Sequence, residues 1–186
     1  DTVPTGRSVI EDISTELIDK LYTQKETLNE GIVKNSISSN QFFVLKNGKK
    51  SALTFYNKEK DIFSRVEKIN CFGIKPKNAE QAFAMDALTN PDIKLVTIQG
   101  VAGTGKTLLS LATALSQHHD YHHIFLARPV VPLSNKDIGY LPGDAGAKLN
   151  PYMEPLWDNF KYIQNQFKET SKEFKVLKNM IESEKL

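Results

Sequence analysis

The sequence predicts an α/β fold in two parts: a partial parallel sheet organised around a glycine-rich turn, preceded by a small region that carries a β-hairpin. Three observations predict it. The apolar run Leu95-Val96-Thr97-Ile98 has the length and branching of a buried parallel strand, and a glycine follows it. Residues 106–117 then keep helical spacing, with Leu108, Leu109, Ala112 and Leu115 on one face, and His123-Ile124-Phe125-Leu126-Ala127 reads as the next strand. Strand, glycine loop, helix and strand make one turn of an α/β fold. Upstream, Gln41–Leu45 and Ala52–Tyr56 are strand-like segments separated by Asn47-Gly48, a hairpin turn signal. The expected division is an accessory region over 1–70 and an incomplete α/β domain over 71–186.

The remaining elements follow in chain order. Ile13, Leu17, Ile18 and Leu21 keep helical spacing, Ser14 suits the N-cap, and Ile13 with Ile18 suits a hydrophobic staple, so a helix is expected over about 15–25. After Pro76 a second helix is expected, with Asn78 as N-cap and Gln81 at its third position. Ala79, Ala82, Phe83 and Ala87 form its apolar face, and Asn90-Pro91 ends it. Residues 129–150 read as a long Pro- and Gly-rich loop. A last helix starting near Asn150-Pro151 places Met153, Leu156, Trp157, Phe160, Ile163 and Phe167 along one side, a stripe read as core packing.

Composition narrows the class. The 40% hydrophobic content can build a core, and no apolar run approaches the ~20 residues of a membrane span. Cys71 is the single cysteine, so no internal disulfide forms and a reduced, cytoplasmic setting is the expectation. The first residue is Asp1 rather than Met, without a signal peptide pattern, and further sequence upstream is expected. Residues 1–33 carry three basic and seven acidic side chains, residues 34–77 ten basic and three acidic. That asymmetry suits either a local anionic partner or two solvated surfaces.

The chemistry concentrates in Gly100-Val101-Ala102-Gly103-Thr104-Gly105-Lys106-Thr107, a complete G-x-x-x-x-G-K-[ST] match between a predicted strand and a predicted helix. Glycines let the backbone fold so that its N–H groups converge on phosphate oxygens. Lys106 brings a positive charge to the β- and γ-phosphates, the Thr107 hydroxyl suits Mg²⁺, and the helix opening at Lys106 adds the positive end of its dipole. The expected ligands are therefore ATP and Mg²⁺, with Gly100 to Thr107 as the nucleotide site and Lys106 as the catalytic residue.

Other candidates carry two readings each. The amide of Gln81 can pair with adenine or serve only as a cap, and spacing alone does not separate the two. Arg128, at the carboxyl end of the second predicted strand, suits phosphate or nucleic acid, or is an ordinary surface arginine. Lys46, Lys49, Lys50, Lys58, Lys60 and Arg65 alternate with Phe42, Phe43, Phe55, Tyr56 and Phe63. Such a mixture suits single-stranded nucleic acid, although strand aromatics are more often core. His118, His119, His122 and His123 have metal-compatible spacing, but solvated histidines at a helix end are the better reading. No apolar strand ending in Asp or Glu follows Thr107: Ile124 to Ala127 runs into Arg128. The second carboxylate site of an ATPase, and the general base, are expected outside this chain, which alone should hydrolyse nucleotide poorly.

Several segments together resemble the PhoH-like ATPases. They are Phe72-Gly73-Ile74-Lys75-Pro76-Lys77-Asn78-Ala79-Glu80-Gln81, Gly100 to Thr107, Ala127-Arg128-Pro129-Val130-Val131-Pro132, and Asp137-Ile138-Gly139-Tyr140-Leu141-Pro142-Gly143-Asp144. The likeness continues through Lys148-Leu149-Asn150-Pro151-Tyr152-Met153 and Pro155-Leu156-Trp157-Asp158-Asn159. Residues 40–57 are similar to the linker of the longer members, in which a PIN ribonuclease domain precedes the ATPase. The resemblance implies a superfamily-one helicase-like, RecA-like core, ATP hydrolysis coupled to single-stranded RNA, and a homo-oligomeric ring, with a hexamer as the candidate size, in a bacterial cytoplasm. It favours adenine recognition by Gln81 and nucleic-acid or intersubunit contact by Arg128. Ala145-Gly146-Ala147 stands where the family carries carboxylates, which removes an acidic contact there. The rival readings are a P-loop small-molecule phosphotransferase and a non-catalytic nucleic-acid-binding or oligomerisation module.

Overall fold

The computed structural model describes residues 5–33, 37–129 and 145–182. Its contacts divide the chain into two units, one formed by Asp1–Asn70 with Lys75–Ile98 and the other by Cys71–Ile74 with Gln99–Leu186. The 75–98 segment, which follows the expected boundary at residue 70, makes its contacts with the first unit.

The first unit is a five-stranded sheet with a helix on each face. Strands β1 (Arg7–Ile10), β2 (Glu26–Leu28), β3 (Gln41–Asn47), β4 (Lys50–Asn57) and β5 (Ile62–Arg65) line up in the order β1-β3-β4-β5-β2. β1 runs parallel to β3 and the other pairs are antiparallel. β3 and β4 form a hairpin closed at the Asn47–Lys50 pair. Gly48 has φ 54 and Lys49 is not left-handed, so the central pair of the turn is Gly48-Lys49, with the positive φ first as in a type II′ turn. Helix α1 (Thr15–Gln24) begins at Ser14, whose side chain accepts from the Leu17 N–H. Helix α2 (Ala79–Thr89) begins at Asn78, which caps the Gln81 N–H.

The unbroken apolar run of β3 has a physical cause. Successive side chains point to opposite faces, so a strand covered on both sides is apolar throughout. Phe43 and Leu45 pack with Ile18 and Leu21 of α1 and with Phe63. Phe42 and Val44 pack with Ala82, Phe83 and Ala87 of α2, and the Phe42 and Phe83 ring centroids lie 4.9 Å apart. Burial holds the Asp86 carboxyl of α2 above its ordinary value of 3.8. An acid whose folded-state pKa is raised binds more protons folded than unfolded, so stability falls as pH rises through about 3.8 and upward. Asp86→Asn is therefore expected to raise the thermal midpoint at pH 7 more than at pH 4. Equal shifts at the two pH values would contradict this.

The second unit contains a tight turn at Cys71–Ile74 and helices α3 (Lys106–Ser116), α4 (Ala145–Gln164) and α5 (Lys172–Glu182). Cys71 and Ile74 exchange two backbone hydrogen bonds of 3.0 Å, across Phe72 and Gly73 with φ of 46° and 78°. The Phe72 ring meets Phe167 edge-on. Leu109, Leu111, Ala112 and Leu115 of α3, Phe160 and Ile163 of α4, and Leu177 and Met180 of α5 are buried. Burial pushes the Cys71 thiol up, more than its hydrogen bond with Ser116 lowers it, which disfavours a nucleophilic thiolate.

Two expectations are corrected. Leu95–Ile98 and His123–Ala127 are not strands: the sheet among the described residues is built from residues 7–65. A buried strand needs a ladder partner and cover, whereas Leu95 is 83% and Phe125 91% exposed. The described fold is thus mixed α/β, with its one parallel pair in the first unit. The last predicted helix starts at Ala145, ahead of Asn150-Pro151. The helix-forming residues Ala145, Ala147, Lys148 and Leu149 outweigh the loop signals there. Residues 130–144 of the expected loop, with the 137–144 segment of the resemblance, lie outside the described residues. Among the described residues, no helix is long and apolar enough to cross a membrane.

Candidate functional site

The Gly100–Thr107 segment leads into α3, and both steps of the turn depend on glycine. Gly103 has φ 79 and Gly105 φ 86, a left-handed conformation that side-chain-bearing residues rarely adopt. The turn is tied by its own side chains. The Thr104 hydroxyl donates to the Val101 carbonyl at 2.8 Å. The Lys106 ammonium donates to the carbonyls of Gly100 at 2.8 Å and Val101 at 2.7 Å. Val101, Ala102, Gly103, Thr104 and Thr107 are exposed, and Lys106 is half-buried.

The start of α3 differs from those of α1, α2 and α5. Ser14, Asn78 and Ser171 cap α1, α2 and α5 with a side-chain oxygen, and Glu16, Glu80 and Glu173 stand in their first turns. The N-cap of α3 is Gly105, which offers no such oxygen, and its first turn has no acidic residue. The N–H groups and the positive end of the helix dipole are left to whatever approaches from outside, and an anion suits them. The buried face of α3 (Leu109, Ala112, Leu115) anchors this end. The loop thus combines exposed backbone donors, a held ammonium and a helix N-terminus. That donor set fits a polyphosphate and would not fit a cation.

The other candidate residues are described within their own units. Gln81 belongs to the first unit, where its side-chain oxygen accepts from the Lys77 N–H at 2.8 Å. It reaches one residue further back than the N-cap N–H of a standard capping box. Lys46, Lys49 and Lys50 also belong to the first unit. Lys46 pairs with Glu11 at 3.6 Å and Lys50 with Asp19 at 3.1 Å, so the acidic first segment offsets part of the basic hairpin. Phe42, Phe43, Tyr56 and Phe63 are buried and present no free faces to bases. Arg128 is exposed on the segment after α3. His118, His119, His122 and His123 line a cavity of about 270 Å³ with Val176 and Met180. Among the described residues no group of three His, Cys, Asp or Glu side chains could hold a metal ion. Sequence reasoning treated Thr104 as a backbone donor only. A hydroxyl three residues beyond an exposed carbonyl was the signal for its side-chain bond.

Residues 73–185 match the sequence profile of the family described as PhoH-like protein. The chain is similar to Protein PhoH2 of Bacillus subtilis, with 38% identity over 161 residues that cover 82% of this chain and 36% of that protein. It is similar to Protein PhoH2 of Thermobispora bispora, 36% identical over 90 residues, 47% of this chain and 21% of that protein. It is also similar to Protein PhoH of Escherichia coli, 36% identical over 87 residues, 46% of this chain and 24% of that protein. The matched part thus spans about a third or less of the length of these relatives. No solved structure matches the chain significantly.

Proposed function

The chain belongs to the PhoH-like family, and on that premise we propose that it binds ATP through Gly100–Thr107 and, within the whole protein, serves ATP hydrolysis coupled to single-stranded RNA. One observation carries the nucleotide reading. The Lys106 ammonium is held by two loop carbonyls at the start of a helix that lacks a side-chain cap and first-turn acids. Backbone N–H groups from Ala102 to Lys106 would take the phosphate oxygens, and Lys106 would stabilise the transferring phosphoryl group. Thr107 would hold Mg²⁺, which when bound supplies further countercharge to the phosphates. The fold of the whole nucleotide domain is proposed as RecA-like, of the superfamily-one helicase kind.

Three further assignments belong to this proposal. Gln81 would read the adenine ring, in addition to its observed role in capping. Arg128 and the hairpin lysines Lys46, Lys49 and Lys50 would contact RNA or a neighbouring subunit of a homo-oligomeric ring in the cytoplasm. An upstream PIN ribonuclease domain would complete the longer family architecture.

The test is a titration with magnesium ATP and magnesium GTP, followed by nucleotide fluorescence. Association at millimolar concentration or below, with a preference for ATP that narrows in Gln81→Ala, is expected. An unchanged ATP:GTP ratio would leave Gln81 with its capping role alone. In the whole protein, hydrolysis that rises on addition of single-stranded RNA separates this reading from a small-molecule phosphotransferase.

A further inference from the structure

The Thr104 side chain has a role that the phosphate-cradling motif does not require of its position, since any residue's backbone N–H would serve there. Its hydroxyl donates to the Val101 carbonyl at 2.8 Å, and the same oxygen accepts from the Lys106 ammonium at 2.7 Å. The Thr104 hydroxyl oxygen is itself 3.5 Å from that ammonium. A Cβ on Gly100 would stand 3.2 Å from this hydroxyl, so the glycine leaves room for it. Thr104 and Lys106 thus converge on one carbonyl in an exposed turn.

We propose that Thr104 is a positioning residue for Lys106: its hydroxyl keeps the Val101 carbonyl satisfied and the turn closed when the ammonium leaves that carbonyl for a phosphate. The inference rests on the nucleotide reading of the loop. The Lys106 ammonium has three N–H donors and spends two of them on the loop carbonyls, so turning more than one donor to phosphate oxygens draws it off one of those carbonyls. A donor so drawn off leaves the carbonyl of Gly100 or Val101 without its charged partner. Gly100 precedes the turn and its carbonyl can turn to water. Val101 opens the turn, and the i to i+3 bond from Thr104 holds the 101–104 backbone in the shape that points its N–H groups at the ligand. Without that hydroxyl, the departure of Lys106 would loosen the turn at the moment the phosphate needs it.

The experiment measures the affinity of the chain for fluorescent ATP and ADP analogues with magnesium, in wild type, Thr104→Val, Thr104→Ala and Thr104→Ser. Valine keeps the volume and removes the donor; serine keeps the donor and removes the methyl group. Valine and alanine are expected to weaken binding by about fivefold, the effect of one neutral hydrogen bond, and serine by less than about twofold. Circular dichroism and the melting midpoint are expected to match wild type, because the site is exposed. Wild-type binding with unchanged affinity in Thr104→Val overturns the inference and leaves the nucleotide reading standing. So does a loss in Thr104→Ser as large as in Thr104→Val, which would assign the effect to the methyl group. Failure of both Thr104→Val and Thr104→Ala to fold would make Thr104 a stability residue and also overturn it. Absence of nucleotide binding by wild type at millimolar concentration removes the reading of the loop and the inference together.

Discussion

Lys106→Ala is expected to lower ATP hydrolysis by the whole protein at least ~100-fold, the scale seen when one preorganised donor to a developing charge is removed. Two contributions combine. On the proposed reading the phosphates would lose their countercharge, and the carbonyls of Gly100 and Val101 lose the donor that ties the loop. The fold should survive. Leu109, Leu111, Ala112 and Leu115 of α3 are buried and are untouched by the substitution. Phosphate release under saturating magnesium ATP, with circular dichroism alongside, measures both. Turnover within a factor of two of wild type would remove Lys106 from the chemistry and the loop from the site.

Gly73→Ala is expected to destabilise the second unit by about 3 kcal/mol, combining left-handed backbone strain with overpacking. The φ of Gly73 is +78°, and an added Cβ would lie 2.9 Å from the Gln166 Cβ and 3.2 Å from its Cγ. The near atom is the root of the side chain, so rotation about its torsions does not relieve the clash. Gly31 provides the control. Its φ is +80°, and an added Cβ there meets nothing within 4 Å. Gly31→Ala should therefore cost only the conformational part, about 1–2 kcal/mol. Denaturant unfolding of the two variants separates the effects. Equal losses would show that the Gln166 contact contributes nothing.

Features set by near neighbours in the chain could be read directly. Ser14 caps the Leu17 N–H and Asn78 the Gln81 N–H, because an N-cap acts three residues ahead whatever packs around it. α1 was expected over about 15–25 and runs Thr15–Gln24. The glycine loop followed by a helix from Lys106 was legible for the same reason: positive φ at Gly103 and Gly105 is a local property of residues without a Cβ. The Gly100–Thr107 pattern was also one of the several segments that carried the family likeness.

Pattern alone could not choose partners. Leu95–Ile98 and Phe42–Leu45 have similar apolar character, yet only the second lies in a ladder. The difference comes from distant segments: β1 and β4 pair on its edges, while α1 and α2 cover its two faces. The same covering drew the basic hairpin's aromatics inward and brought α2 into the first unit. It took three-dimensional packing to reveal the bond from Thr104 to Val101 and the crowding of Gly73 by Gln166. Local rules specify how a backbone turns and where a helix starts. Burial, ladder pairing and side-chain contact are settled by residues far apart in the chain, whose proximity no short pattern encodes.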